Sequence, residues 1–127
     1  MKLDKQVTSL KLSKKLRKLG VKQESLYGWR PMVPDSDGKQ EWDLSSMRLQ
    51  LLAEPKWYSA FTVAELGEML PEDIKGVRFS SCKQDSHWDC MYSSDERAVD
   101  KTEASARAKM LIYLIENDLL KQGRLGK

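Results

Sequence analysis

The sequence has 127 residues, of which 40% are hydrophobic and 32% charged, a composition typical of a folded domain and not of a disordered chain. We therefore predict a single domain over residues 1–127. No apolar run reaches the roughly eighteen residues that cross a bilayer, and the start MKLDKQVTS lacks the apolar core of a signal peptide, so we expect a cytoplasmic protein without membrane contact.

The N-terminal segment is strongly basic. Residues 1–30 contain nine basic and two acidic side chains, whereas the rest of the chain carries thirteen basic and seventeen acidic ones. Within SLKLSKKLRKLG, leucines recur at helical spacing between Ser9, a capping residue, and Gly20, which suits the left-handed position after a helix. We predict a surface helix over about residues 9–19. Its basic side chains are candidates for nucleic-acid binding, namely Lys11, Lys14, Lys15, Arg17 and Lys18.

Two short aromatic stretches, LYGWR and QEWDL, have the composition of strands. Between them PMVPDSDGK carries two prolines and a turn signal, so we predict a loop, with Pro31 ending the first strand or keeping it at a sheet edge. The stretch LLAEPKWYSA is predicted as a second loop. Aromatic residues in this region are candidate interface anchors, namely Trp42, Trp57 and Tyr58. Tyr27 or Trp29 would offer a stacking platform to a nucleic acid.

The stretch FTVAELGEML predicts a short helix with defined ends. Thr62 and Glu65 have the spacing of a capping box, in which each side chain accepts from the other residue's backbone amide. Pro71 ends the helix. Gly67 in its middle costs about 1 kcal/mol relative to alanine, which indicates close packing against a neighbour or simple tolerance.

The stretch SSCKQDSHWDCMYSS contains both cysteines and the only histidine. Its two strand-like runs predict a hairpin. A two-residue turn at 85–86 would pair Ser81 with Cys90, gather the aromatic residues on one face and place Cys82 on the other. A three-residue turn would align the two thiols but separate the aromatic residues. Burial of the aromatic residues together favours the first register.

That register separates the groups a reactive site would need. A disulfide or a shared metal would require both sulfurs on one side of the sheet, and a zinc site needs four ligands, which the chain's cysteines and single histidine cannot supply. An enzyme would need Cys82 or Cys90 with His87 and a nearby aspartate, and only Cys82 and His87 could approach diagonally. We predict no catalytic residues, no metal and no cofactor.

The last stretch, DKTEASARAKMLIYLIENDLLKQG, predicts a core helix of about five turns. Thr102 or Asp100 would cap its start, and it would end near Gly123. Small residues in its first half allow close approach to a sheet. Its very apolar second half indicates deep burial or a homodimer contact. The predicted architecture is therefore α+β, with a small antiparallel sheet, a basic N-terminal helix, a short capped middle helix and a long C-terminal helix packed on the sheet.

Several segments together resemble a group of small uncharacterised proteins encoded by bacteriophages and prophages. They are FTVAELGEMLP, TEASARAKMLIYLIENDLL, the hairpin with its tryptophan and cysteine, and the opening SLKLSKKLRKLGVKQES. The resemblance covers most of the chain outside residues 31–56. It implies an origin in a phage or prophage and provides no catalytic position that could be transferred to this chain. Small phage proteins of this kind commonly act by binding a host factor, including as inhibitors of host defence.

We therefore expect a non-catalytic accessory protein that binds a host protein in the bacterial cytoplasm. Two alternatives remain open at this stage. One is a nucleic-acid-binding protein that uses the basic helix, and the other is a protein that binds a small molecule or nucleotide signal.

Overall fold

The computed structural model describes residues 2–32, 38–46 and 57–120. The described chain contains both helices and antiparallel strands, which confirms the predicted α+β class. After a single 3-10 turn at Leu3–Lys5, the elements in chain order are α1 (Leu10–Lys18), β1 (Tyr27–Pro31), β2 (Trp42–Ser46), β3 (Tyr58–Ala60), α2 (Val63–Met69), β4 (Asp73–Ile74), β5 (Val77–Arg78), β6 (Ser80–Gln84), β7 (His87–Met91), β8 (Arg97–Asp100) and α3 (Glu103–Glu116).

The described strands form two three-stranded sheets and one small ribbon. The first sheet has the order β2-β1-β3, the second has the order β6-β7-β8, and β4 pairs with β5. Helix α3 packs on β7 and β8 and also contacts α1 and α2, so it lies at the centre of the core, as the sequence predicts. Its alanines and larger apolar residues are buried, namely Ala104, Ala106, Ala108, Met110, Leu111, Ile112 and Leu114.

Helix α1 has the predicted start and stop. The Ser9 hydroxyl accepts the Leu12 amide at 3.3 Å. At the other end Gly20 adopts φ 92°, and the Val21 amide donates back to the Leu16 carbonyl at 3.1 Å. This 6→1 hydrogen bond is the mark of a Schellman motif, and it carries Val21 into the core.

Helix α2 confirms the predicted capping box. The Thr62 hydroxyl accepts the Glu65 amide at 3.2 Å, and the Glu65 carboxylate accepts the Thr62 amide at 2.9 Å. Gly67 faces α3 so closely that a Cβ there would lie 2.8 Å from Nη1 of Arg107. A larger residue at this position would require the Arg107 side chain to shift, so the structure agrees with the first of the two alternatives, close packing.

The β6–β7 hairpin has the predicted two-residue turn. Ser81 pairs with Cys90 and Gln84 pairs with His87. The Phe79 and Tyr92 rings meet on the core side with their centroids 5.2 Å apart. Burial of the aromatic residues therefore decides the register, as argued from the sequence.

Two sequence predictions about secondary structure are wrong, and two short strands have no counterpart among the predicted elements. Tyr58–Ala60 is strand β3 and not loop, because its backbone pairs with β1. The two additional strands are β4 and β8. Helix α3 ends at Glu116, since Asp118 adopts φ 54° and the Leu119 amide bonds back to the Leu114 carbonyl. The predicted end at Gly123 and most of the two predicted loops, at 33–37 and 51–56, lie outside the described residues.

Pro31 ends β1, which is one of the two alternatives that the sequence left open, and β1 itself is the central strand of its sheet. No helix in the described ranges combines the length and the apolar character that crossing a bilayer requires.

Candidate binding surface

The basic residues of α1 lie together on the outside of the molecule. Lys11, Lys14, Lys15 and Lys18 are exposed, while Arg17 is partly buried. The opposite side of the helix is apolar, with Leu16 fully buried and Leu12 packed against the core. We call the five basic side chains Lys11, Lys14, Lys15, Arg17 and Lys18 the basic face. Their placement follows from the leucine spacing, as predicted.

Helix α1 packs against the first sheet through polar contacts as well as apolar ones. The Trp29 indole donates to the Thr8 carbonyl at 2.9 Å, and the Thr8 hydroxyl accepts the Phe61 amide at 3.0 Å. From α1, Arg17 donates to the Trp57 carbonyl at 2.7 Å. These bonds hold the segment before α1, the helix itself and β3 in one arrangement.

This packing brings the basic face to two of the predicted interface residues. Nζ of Lys14 lies 4.9 Å from the Trp42 ring centroid and 5.8 Å from that of Tyr58. The Arg17 guanidinium lies 5.3 Å from the Tyr58 ring. The two rings lie 5.4 Å apart at an interplanar angle of 49°. We call Lys14, Arg17, Trp42 and Tyr58 the cation–aromatic cluster.

The cluster arises from strand pairing between segments that are distant in the sequence. Trp29 pairs with Tyr58 across β1–β3, and Pro31 pairs with Trp42 across β1–β2, so these side chains share one face of the sheet. The two aromatic residues of the cluster thus stand on strands, where each keeps partial exposure. A rigid sheet fixes them better than a loop would.

The other aromatic candidates are placed differently. Trp57 is only 5% exposed, so the expectation of an exposed anchor is wrong for this residue; its ring belongs to the interior. Trp29 is partly buried, and its indole N–H is used within the fold. Tyr27 lines a separate cavity of about 540 Å³ whose wall also contains Leu26 and Trp88. Of the two residues predicted as a stacking platform, Trp29 borders the cluster as the cross-strand neighbour of Tyr58, whereas Tyr27 lines the separate cavity.

A groove between α1 and α3 extends the basic face. It has a volume of about 740 Å³ and is open to solvent. Its floor is apolar, formed by Leu10, Leu12 and Ile112, and five lysines surround that floor. Lys11, Lys14, Lys15 and Lys18 come from α1, and Lys109 comes from α3. We call this feature the lysine-rimmed groove.

The rim is only partly neutralised by acidic groups. Lys15 pairs with Glu116 at 3.1 Å, and Lys109 pairs with Asp100 at 3.0 Å. Neither Lys11 nor Lys18 forms an ion pair with any residue that the structure describes. The groove therefore has an excess of positive charge beside an apolar floor.

The contribution of α3 to this surface goes beyond the sequence prediction. Lys109 and Ile112 line the groove, whereas the sequence predicts only a core helix for this segment. One signal was available, because Lys109 interrupts the otherwise apolar run from Ala108 to Ile112 and so marks where the helix meets solvent.

Strand pairing in the β6–β7 hairpin places Cys82 and His87 on the outer face and Cys90 on the inner one, so the two sulfurs lie on opposite sides of the sheet. Cys90 is buried, and that burial raises the pKa of its thiol. Cys82 is exposed on the opposite face, where its sulfur accepts the Gln84 amide at 3.3 Å. Asp89, which pairs with Cys82, is held by Arg97. No group of three or more potential metal ligands occurs among the described residues.

Comparison with known proteins adds no assignment: the chain matches no protein-family model, no curated protein and no solved structure. The resemblance to bacteriophage proteins thus stays a hypothesis that rests on the quoted segments.

Proposed function

We propose that this protein is a non-catalytic binding protein whose partner is another protein with an acidic surface. Its contact surface is the basic face of α1 together with the cation–aromatic cluster. If the resemblance to phage and prophage proteins reflects origin, the partner is a host factor and the binding can inhibit a host defence.

One observation carries this proposal. Basic and aromatic residues that lie far apart in the sequence, Lys14 and Trp42 in particular, meet on one exposed surface. Arginine and large aromatic residues are the types enriched at the energetic centres of protein interfaces. Fixed on a helix and a sheet, these side chains lose less conformational freedom on binding than they would on loops.

Electrostatics adds a second argument for an acidic partner. The basic face places Lys11 and Lys18 near Lys14 and Lys15 with few acidic neighbours, so its potential attracts negative charge. Opposite charge on a partner would speed association and orient it, while the cluster and the apolar floor beside it would supply contact area.

The arrangement favours a protein partner over a nucleic acid. Cations already lie over the Trp42 and Tyr58 rings, so a nucleobase would have to displace Lys14 or Arg17 in order to stack there. Phosphates also cannot use an apolar floor such as Leu10 and Leu12 provide. Both features suit a surface with carboxylates around apolar side chains.

Affinity capture from a bacterial lysate tests the proposal. The tagged protein is compared with the variant Lys11→Glu/Lys18→Glu, and the lysate is treated with nuclease. The control Arg78→Glu/Lys83→Glu changes the charge equally on β5 and β6, where both residues are exposed. We expect a defined protein that survives nuclease, is retained by the control variant and is lost from the basic-face variant.

Nucleic-acid binding is the second candidate, and the four exposed lysines of the basic face are the observation that favours it. The logarithm of the binding constant of such a complex would fall steeply and linearly with the logarithm of the salt concentration, because binding releases counterions from the phosphates. If nuclease removes all captured material and the purified protein binds a single-stranded oligonucleotide with that salt dependence, this candidate replaces the first.

A further inference from the structure

The lysine-rimmed groove has a chemistry that a flat basic surface lacks. Its lining combines three apolar side chains, Leu10, Leu12 and Ile112, with five lysines, of which Lys14 also reaches the Trp42 ring. Leu10 is partly exposed and lies outside the main core cluster, so part of its apolar surface is open to a ligand. A ligand must therefore match an apolar strip bordered by positive charge.

We infer that the groove accepts an acidic amphipathic helix from the partner protein. This inference rests on the proposed function and specifies which part of the partner makes the contact. Apolar side chains along one stripe of such a helix would cover the floor. Carboxylates on both sides of the stripe would meet the lysines.

The dimensions of the groove agree with a helical occupant. Its walls are two helices, and α1 has nine residues, about 13 Å of helix. Lys11, Lys14 and Lys18 follow one another at spacings of three and four residues and so form a row along one wall. Lys109 stands on the other wall. An amphipathic helix laid into a groove presents its anchors at the same spacings.

Charge complementarity selects an acidic helix over a basic or neutral one. Two of the five rim lysines have acidic partners within the chain, Lys15 with Glu116 and Lys109 with Asp100. The first pair is exposed and the second is partly exposed, and such pairs contribute little, so an incoming carboxylate can share or replace them at small cost. A basic helix would meet uncompensated repulsion along Lys11, Lys14 and Lys18.

Direct titration with synthetic ligands tests the inference. The probe is a fluorescent peptide of about four helical turns, in which leucines recur every three or four residues and glutamates fill the flanks. A scrambled peptide of the same composition and a single-stranded oligonucleotide of similar charge serve as comparisons. Fluorescence anisotropy measures the dissociation constant of each.

We expect the amphipathic peptide to bind at least about tenfold more tightly than the scrambled one, since only the former aligns apolar side chains with the floor. Leu10→Ser and Lys109→Glu should each weaken that binding several-fold, whereas Lys83→Glu on β6, outside the groove, should leave it unchanged. Thermal unfolding of each variant verifies that the fold is intact.

Three results would overturn the inference. Equal binding of the scrambled and amphipathic peptides would show that charge alone matters. Absence of an effect at both Leu10 and Lys109 would place the peptide elsewhere. If sedimentation shows that the protein self-associates and that the peptide dissociates the oligomer, the groove would be assigned to a second copy of the chain.

The affinity-capture experiment tests the proposed function separately from the peptide titration, which tests the groove. If capture depends on Lys11 and Lys18 but not on Leu10 or Lys109, the surface binds a protein while the groove stays empty. If the peptide binds as expected but no protein is captured through the basic face, the groove inference stands and the proposed function fails.

Discussion

Ser81 lies directly opposite Cys90 in the β6–β7 hairpin, with its hydroxyl oxygen 3.5 Å from the Cys90 sulfur. The same hydroxyl donates to the Glu103 carboxylate of α3 at 2.8 Å. This contact joins the hairpin to the start of the core helix. Alternation along the paired strands places Cys90 on the inner face and Cys82 on the outer one.

The two thiols should therefore differ in reactivity. Burial raises the pKa of Cys90 and excludes reagents, whereas Cys82 is exposed. With a chromogenic disulfide reagent, Cys82 should react rapidly in the native protein and Cys90 only after unfolding. Cys82→Ser should abolish the rapid phase and Cys90→Ser should preserve it. Rapid reaction of both thiols in the wild-type protein would contradict the hairpin register.

The contact between Asp89 and Arg97 predicts a pH dependence of stability. Arg97 donates from Nε and Nη2 to the Asp89 carboxylate at distances of 2.6 to 3.0 Å, and these hydrogen bonds lower the pKa of Asp89. A lowered folded pKa means that this stabilisation is fully present above the unfolded value of about 3.9 and is lost as the pH falls through the folded value.

Asp89→Asn tests that linkage. The free energy of unfolding of the wild type should exceed that of the variant at neutral pH, and the difference should shrink as the pH falls below about 4. Urea unfolding across this pH range measures it, with Asp85→Asn in the adjacent exposed turn as the control. A difference that stays constant down to the lowest pH would show that Asp89 acts by packing alone.

The capping box should account for a measurable part of the stability around α2. Thr62→Ala removes the acceptor of the Glu65 amide, so we expect a loss of about 1 kcal/mol in the free energy of unfolding. Glu68→Gln on the exposed side of the same helix should change it far less. Equal effects of the two changes would mean that the cap contributes nothing specific.

Gly67 and Arg107 should be coupled. An alanine at 67 would gain about 1 kcal/mol in helix propensity, but its Cβ would collide with Nη1 of Arg107. That guanidinium is held by Glu103 at 2.9 Å and lies over the Phe79 ring. Gly67→Ala should therefore stabilise the Arg107→Ala background clearly more than the wild type. Urea unfolding of the four proteins gives the coupling, and additive effects would contradict the proposed collision.

The sequence predicts local structure well where one short segment carries all the information. The ends of α1 follow from Ser9 and Gly20, and the hairpin register follows from the need to bury aromatic residues on one face. Such features depend on hydrogen bonds and side-chain alternation within a few residues of each other.

Long-range pairing explains what the sequence did not predict. Strand β3 exists because Tyr58 and Ala60 pair with β1, about thirty residues away in sequence, and nothing in its three residues announces this. The α3 wall of the groove was missed for the same reason, because Lys109 joins Lys14 only after α1 has packed on α3. The basic and aromatic candidates were each named from the sequence, and only the fold shows that some of them meet.

Site-specific photo-crosslinking in bacterial cells tests the central claim most directly. The photoreactive residue benzoylphenylalanine replaces Lys18 on the basic face or, as the control, Lys83 on β6. Both lysines are exposed in the wild-type protein. We predict a discrete protein adduct from position 18 that is absent from position 83 and is unaffected by nuclease. The claim is contradicted if position 18 gives no protein adduct, gives only nucleic-acid adducts, or gives the same adducts as position 83.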